Sequence, residues 1–236
     1  MYTIADELPR PLTFSSVLRV SDYFSTDDLR EVEAAVERVE ETTRGEVVAY
    51  IAPDSDAYRL APWKGALVGS LSASLLAALW FAFGRPWMLG FELWIIGPAL
   101  AGAALGLLLG SGVRPIRRSL VGDDMIDERV GRRAAELFLQ EEVFATRDRT
   151  GILLFVSLFE HRVVVLADAG IRAAVPEAAW EGLVEALTAS VRDGDAGRGL
   201  VSAVEGCGRI LHEHRLQAEL GGPNELEDRP RTEERE

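Results

Sequence analysis

Residues 146–171 read TRDRTGILLFVSLFEHRVVVLADAGI, and the fold turns on how this stretch is divided. Two runs, GILLFVS from Gly151 and RVVVLAD from Arg162, are short, rich in β-branched residues and almost continuously apolar. That is the pattern of strands buried on both faces rather than of an amphipathic helix. Only Leu158 to His161 lie between them, a length that suits a hairpin. The same stretch holds Glu160, His161 and Asp168, which invites a catalytic reading. A strand rising about 3.3 Å per residue puts Asp168 roughly 20 Å from the turn, so a direct triad hydrogen bond is excluded. No Gly-x-Ser-x-Gly elbow accompanies it. His161 and Arg162 are expected to cap the hairpin or to lie on the surface.

Strands this apolar need helices on both faces, and helical patterns flank them. Upstream, Asp127 to Glu142 sets Val130, Ala134, Leu137 and Phe138 against Arg132, Arg133 and Glu136. Downstream, Pro176 suits the first turn of a helix whose inner face carries Trp180, Leu183, Val184, Leu187 and Val191. Asp193-Gly194-Asp195 then turns into a last helix from Ala196 to about Leu216, with Leu200, Val204, Cys207 and Leu211 facing in. Near the start, Ser25 caps a helix whose apolar positions are Leu29, Val32, Val36 and Val39, and Asp27, Asp28 and Glu31 suit its positive end. The strand EVVAYIA, 46–52, follows and stops before Pro53. One helix and one strand cannot bury a core alone, so both ends of the chain belong to one α/β domain.

Between them lie two uncharged stretches, about 65–83 and 93–113, each near the ~20 apolar residues that span a bilayer. A soluble helix keeps a polar stripe, and these have none. They read as a transmembrane hairpin whose short linker holds Pro86 and Trp87. Arg59 and Lys64 precede it and Arg114, Arg117 and Arg118 follow it, whereas the linker has only Arg85, offset by Glu92. Positive charge stays on the cytoplasmic side, so the soluble domain and both termini are expected to be cytoplasmic. The start MYTIADELPRP has no apolar signal core, and a single Cys207 permits no internal disulfide. A net charge of −13 without a basic cluster outside the membrane flanks argues against nucleic acid. The organisation expected is an N-terminal segment 1–23, a domain made of 24–59 and 119–216, an inserted hairpin 60–118, and a disordered acidic tail 217–236.

Four local features together resemble the TPM domain, in particular the bacterial membrane proteins that carry a transmembrane hairpin within it. They are TRGEVVAYIA (43–52), FLQEEVFATRDRTGILLFVS, the corner EHR (Glu160, His161, Arg162) with VVVLADAGI, and DGDAGRGLVSAVEGCG. The likeness runs from about Phe24 to His214. It implies a three-layer α/β/α sandwich with a small mixed sheet, and it brings divided functions: acid phosphatase activity, calcium binding, and accessory roles beside membrane complexes. The chain has Thr150-Gly151 where exported members carry Asn-Gly, and Ala167-Asp168-Ala169-Gly170 where they carry Gly-x-Gly.

The candidate chemistry is a carboxylate cluster. The hairpin brings Asp148 and Asp168 to one sheet edge, and Asp193 and Asp195 could join them. Ca²⁺ or Mg²⁺ takes several such oxygens, although loop aspartates also serve as turn formers and helix caps. Acid phosphatase chemistry needs a nucleophile or metal pair and a phosphate cradle, and neither a P-loop nor Cys-x5-Arg is present. The first reading is therefore a noncatalytic, membrane-anchored binding or accessory module for a membrane-associated protein complex. The alternative is a divalent-metal-dependent phosphatase acting on phosphomonoesters.

Overall fold

The computed structural model describes residues 19–84, 91–214, 216 and 226–233. The start of the chain, the 85–90 linker with Pro86 and Trp87, and most of the tail lie outside the described residues. The chain divides into two compact units, one containing 58–123 and the other 18–57 with 124–236.

The larger unit is built on a mixed sheet of four strands, β1 (Glu46–Ala52), β2 (Gly151–Ser157), β3 (Arg162–Ala167) and β4 (Arg231–Thr232), in the order β3-β2-β1-β4. Strands β1 (Glu46–Ala52) and β2 (Gly151–Ser157) pair in parallel, from Glu46 opposite Gly151 to Ala52 opposite Ser157. Parallel pairing requires a long crossover, and everything from Pro53 to Thr150 serves as one. β3 (Arg162–Ala167) returns antiparallel to β2 through the four residues 158–161. The hairpin expected at this point is present. His161 closes it with φ of 49°, a left-handed conformation that histidine tolerates better than bulkier residues. All of β2 is buried, as its composition demands, but β3 is only half-buried. It is the sheet's edge, so the expectation of full burial fails there.

Helix α1 (Thr26–Thr42) begins at the Ser25 cap: Ser25 Oγ accepts from the Asp28 N–H at 3.1 Å, and Asp28 Oδ2 accepts from the Ser25 N–H at 2.7 Å. Its inner stripe is Val32, Ala35, Val36 and Val39. On one face of the sheet, Leu211 of helix α8 (Ala196–Glu213) approaches Ile152 of β2 across Gly45. On the other, Tyr50 stacks at a tilt on Phe155 and its hydroxyl meets Arg133 of helix α5 (Asp123–Gln140). Each fully buried Leu, Ile or Phe here contributes about 1.5–3 kcal/mol. Helix α7 (Glu181–Asp193) packs on α8, and Gly194 at φ 82° ends it. A short 3-10 turn, Glu177–Trp180, follows Pro176 where one continuous helix is expected from sequence.

The tail does not behave as a disordered segment throughout. Arg231–Thr232 forms β4, parallel to β1, and Glu233 N donates to Ile51 O at 3.0 Å. Arg231 pairs with Glu141 at 2.6 Å and Glu233 with Arg133 at 3.0 Å, so opposite charges hold this acidic stretch against the sheet edge.

The smaller unit is a helical hairpin. Helices α2 (Ala61–Gly84) and α3 (Phe91–Gly112) pack antiparallel through glycines, because a Cβ on Gly106 would stand 2.0 Å from the Gly65 carbonyl oxygen and one on Gly102 2.3 Å from that of Gly69. Close backbone approach of this kind is how helices associate without a hydrophobic core between them. Outward, Leu67, Leu71, Leu75, Leu76, Trp80 and Phe83 are exposed. Ala61–Phe83 is long and apolar enough to cross a membrane, with none of its apolar window buried. Ile96–Gly112 qualifies only together with Pro115–Val121, from which it is bent by 100°. That last segment is helix α4 (Arg114–Val121), an element the sequence reading leaves out.

Candidate functional site

The sheet edge before β2 is where the predicted carboxylates converge. Thr150 N donates to Thr146 Oγ1 at 2.8 Å, and Thr150 O accepts from Glu46 N at 3.2 Å, which sets the start of β2 against β1. Gly151 has to be glycine, as a Cβ would lie 1.9 Å from the Val143 carbonyl oxygen. Gly170 is fixed likewise: a Cβ there would lie 2.3 Å from Asp148 O, and its N–H donates to Arg149 O at 2.8 Å. The Thr150-Gly151 pair and Gly170 therefore bring two backbone segments together at the edge.

Asp168 is 3 % exposed and caps helix α6 (Ala169–Ala174), Oδ1 accepting from Ala169 N at 2.7 Å. Arg149 clamps the same carboxylate. Its Nη2 donates to Oδ1 at 3.1 Å, while Nε faces Oδ2 at 2.8 Å as an ion pair rather than as an aligned hydrogen bond. Arg149 itself sits at φ 58° and lies over the Phe144 ring, 5.6 Å from the centroid. Asp148 pairs with Arg44, half-exposed on both sides. The edge thus alternates two carboxylates with two guanidiniums.

Asp148 and Asp168 do reach one edge through their backbones, but each is paired with its own arginine. Asp195 precedes α8 and accepts from Arg198 Nε at 2.9 Å, and Asp193 is the exposed last residue of α7. Among the described residues, no three His, Cys, Asp or Glu side chains gather as a metal group. A divalent ion at the edge would have to compete with Arg149 for Asp168.

The hairpin corner holds a second polar group. Glu160 is fully buried, with Oε1 accepting from Ser55 N at 2.8 Å and Oε2 from Ser157 Oγ. The hydroxyls of Ser55 and Ser157 lie 2.7 Å apart. Leu158 and Phe159 N–H groups donate to Ala52 and Pro53 carbonyls, so the corner ties the ends of the two parallel strands together. Arg162 turns away to Asp127, with Nε donating at 2.7 Å. Ser55 is invisible as a site residue in the sequence, since its partners Ser157 and Glu160 lie more than 100 positions away, and nothing local marks the bond of Ser157 to Glu160 three positions on.

Among the described residues, Glu40, near the end of α1, is the most perturbed carboxyl. Oε1 accepts from Val47 N at 2.7 Å, Oε2 is buried, and the Glu46 and Asp228 carboxyls lie nearby. Burial is the main cause that pushes its pKa up to about 9; the Val47 N–H opposes this, and Glu46 and Asp228 reinforce it. The sequence shows no sign of it beyond its place beside Val39 on the helix. Between α7 and α8, a groove of about 300 Å³ opens where Gly199 and Gly206 let the helices approach, lined also by Ser190, Ser202 and Arg209.

A mixed four-stranded sheet, a β-hairpin that joins its buried strand β2 to the edge strand β3, and helices from both ends of the chain define the class: a small α/β domain interrupted by a helical hairpin. Residues 118–210 match the TPM domain family. No curated protein matches the chain. Among solved structures, the chain is similar to the BA42 protein from the psychrophilic bacterium Bizionia argentinensis, solved by NMR. The TM-score is 0.56 at 14% identity, over 91% of this chain and 99% of that one. At this identity the similarity speaks to the fold.

Proposed function

We propose that the chain is a membrane-anchored TPM-domain protein whose α/β domain is a noncatalytic binding or accessory module for a membrane-associated protein complex. One observation carries the reading: a helical hairpin inserted in the domain turns its leucines and aromatics outward, with Trp63, Leu76 and Phe83 each more than two-thirds exposed or nearly so. Water does not favour such a surface, whereas a bilayer does. Glycine contacts between α2 and α3 fit helix pairing in lipid. Both predicted carboxylates at the sheet edge are neutralised by arginines, which suits structure more than metal-assisted hydrolysis. The basic residues before α2 and after α3 support a topology in which the domain and both termini face the cytoplasm of a bacterial inner membrane.

The experiment is solubilisation from native membranes followed by affinity capture of the full chain. A constant protein partner, retained by a chain with Asp168→Ala, is the expected result. Recovery of the chain alone, together with divalent-dependent phosphomonoester hydrolysis lost in Asp168→Ala, refutes it. A reporter fused after Glu236 checks topology, and activity on the exported side overturns the charge argument.

A further inference from the structure

We propose that the outer edge of β3 is a docking surface for a second copy of this chain, whose own β3 adds antiparallel to it and joins the two sheets into one. The inference stands on the α/β domain alone and needs nothing from the membrane reading. The two edges of the sheet are treated differently. At one, β4 of the tail lies along Tyr50 and Ile51 of β1. At the other, β3 carries four large aliphatics in succession after Arg162, with no Pro or Lys among its residues. Those residues are the usual means of keeping an edge strand from pairing with another chain.

The ladder with β2 decides which backbone groups of β3 are left over. Asp168 N donates to Gly151 O at 2.9 Å, so the alternation of an antiparallel ladder makes Leu166, Val164 and Arg162 the residues bonded to Leu153, Phe155 and Ser157. Val163, Val165 and Ala167 therefore turn their N–H and C=O groups away from β2. Among the described residues, no hydrogen bond reaches these outward groups. Helix α7 touches β3 but leaves Val164, Val165, Leu166 and Ala167 half-exposed. Peptide groups without a protein partner are stable only against water, so this side of β3 is open to solvent.

The symmetry of the three positions selects the occupant. When two β3 strands run antiparallel with Val165 on the two-fold axis, Val165 bonds to Val165 of the second copy and Val163 to its Ala167. All the outward donors and acceptors of both strands then find partners. Val164 comes opposite Leu166 of the second copy, apolar against apolar. Arg162 comes opposite its Asp168, so unlike charges close the seam at both ends. Each keeps its partner within the chain, Asp127 for Arg162 and Arg149 for Asp168. Parallel pairing in register would instead set Arg162 against Arg162 and Asp168 against Asp168, which the antiparallel seam avoids.

The test uses the full chain in nonionic detergent. Sedimentation should show a dimer forming between about 1 µM and about 100 µM. Amide exchange read residue by residue should slow in the dimer at Val163, Val165 and Ala167, while Val164 and Leu166, already bonded to β2, change little. Val165→Cys should link to itself through a bismaleimide about 8 Å long, because opposed Cα atoms of a hydrogen-bonded pair lie about 5.5 Å apart. The unsubstituted chain, whose Cys207 is buried, should not link. Val165→Lys sets like charges on the axis and should weaken the dimer about five-fold; if that variant does not fold, exchange and cross-linking decide. A monomer throughout the range overturns the proposal. So does a dimer in which the amides of Val163, Val165 and Ala167 exchange as fast as in the dilute chain, the outcome expected if only α2 and α3 associate. Neither result bears on the membrane reading.

Discussion

Glu40→Gln isolates one buried carboxyl and predicts a change in the slope of stability against pH. In the folded chain burial keeps this group protonated to about pH 9, whereas in the unfolded chain it ionises near its ordinary 4.5. Folding therefore takes up a proton between these values. The stability that comes with the protonated group is fully present below pH 4.5 and is lost as pH rises towards 9. One proton of difference corresponds to a slope of at most about 1.4 kcal/mol per pH unit, so about 2–3 kcal/mol is at stake between roughly pH 5 and pH 7. The glutamine can still accept the Val47 N–H that Oε1 receives at 2.7 Å, and it cannot ionise. Urea unfolding of the full chain in nonionic detergent, followed by near-ultraviolet dichroism at about pH 5.5, 7 and 8.5, measures both slopes. The wild-type chain should lose stability relative to Glu40→Gln as pH rises. Parallel profiles would refute the assignment of a protonated Glu40.

Gly106→Leu should separate α2 from α3, because its Cβ would meet the Gly65 carbonyl oxygen at 2.0 Å; a loss of about 1–3 kcal/mol is expected from thermal melting in detergent. Gly97→Ala, where an added Cβ meets nothing within 4 Å beyond its own stretch of helix, is the control and should leave melting unchanged or slightly raised; equal melting of the two variants sinks the glycine-contact account. Asp168→Ala removes the α6 cap and leaves Arg149 without its buried partner, so a loss of about 1–2 kcal/mol is expected. Ca²⁺ or Mg²⁺ should not raise the melting temperature in a way that depends on Asp168. An ion-induced rise that vanishes in the variant would restore the cluster of Asp148, Asp168, Asp193 and Asp195.

Local pattern made much of the fold legible. The Ser25 cap, the bounds of β1 and β2, and the hairpin at 158–161 all follow from residues close in sequence. The candidate site was legible in part. Connectivity alone brings Asp148 and Asp168 to one edge, and it does so in the structure. Their partners were not legible: Arg44 reaches Asp148 from 104 positions away, and nothing local marks it. Arg149 stood next to Asp148, yet it serves Asp168, because a left-handed backbone at 149 redirects the chain. The acidic tail was misread for a related reason. Composition alone describes 226–233 as too polar to fold, while the open edge of β1 and the charges of Glu141 and Arg133 give Arg231 and Glu233 partners.

The sequence by itself determined the longer helices and strands β1, β2 and β3, and which segments are most apolar, since these properties depend on neighbours within one or two turns of chain. Only tertiary structure decided how charges are spent. Whether Asp168 is a metal ligand or a clamped cap, whether Glu160 faces solvent or Ser55 and Ser157, and whether Glu40 holds its proton each depend on groups that meet only once the sheet closes. Desolvation and pairing act over a few ångströms of space, a distance that chain separation does not reveal.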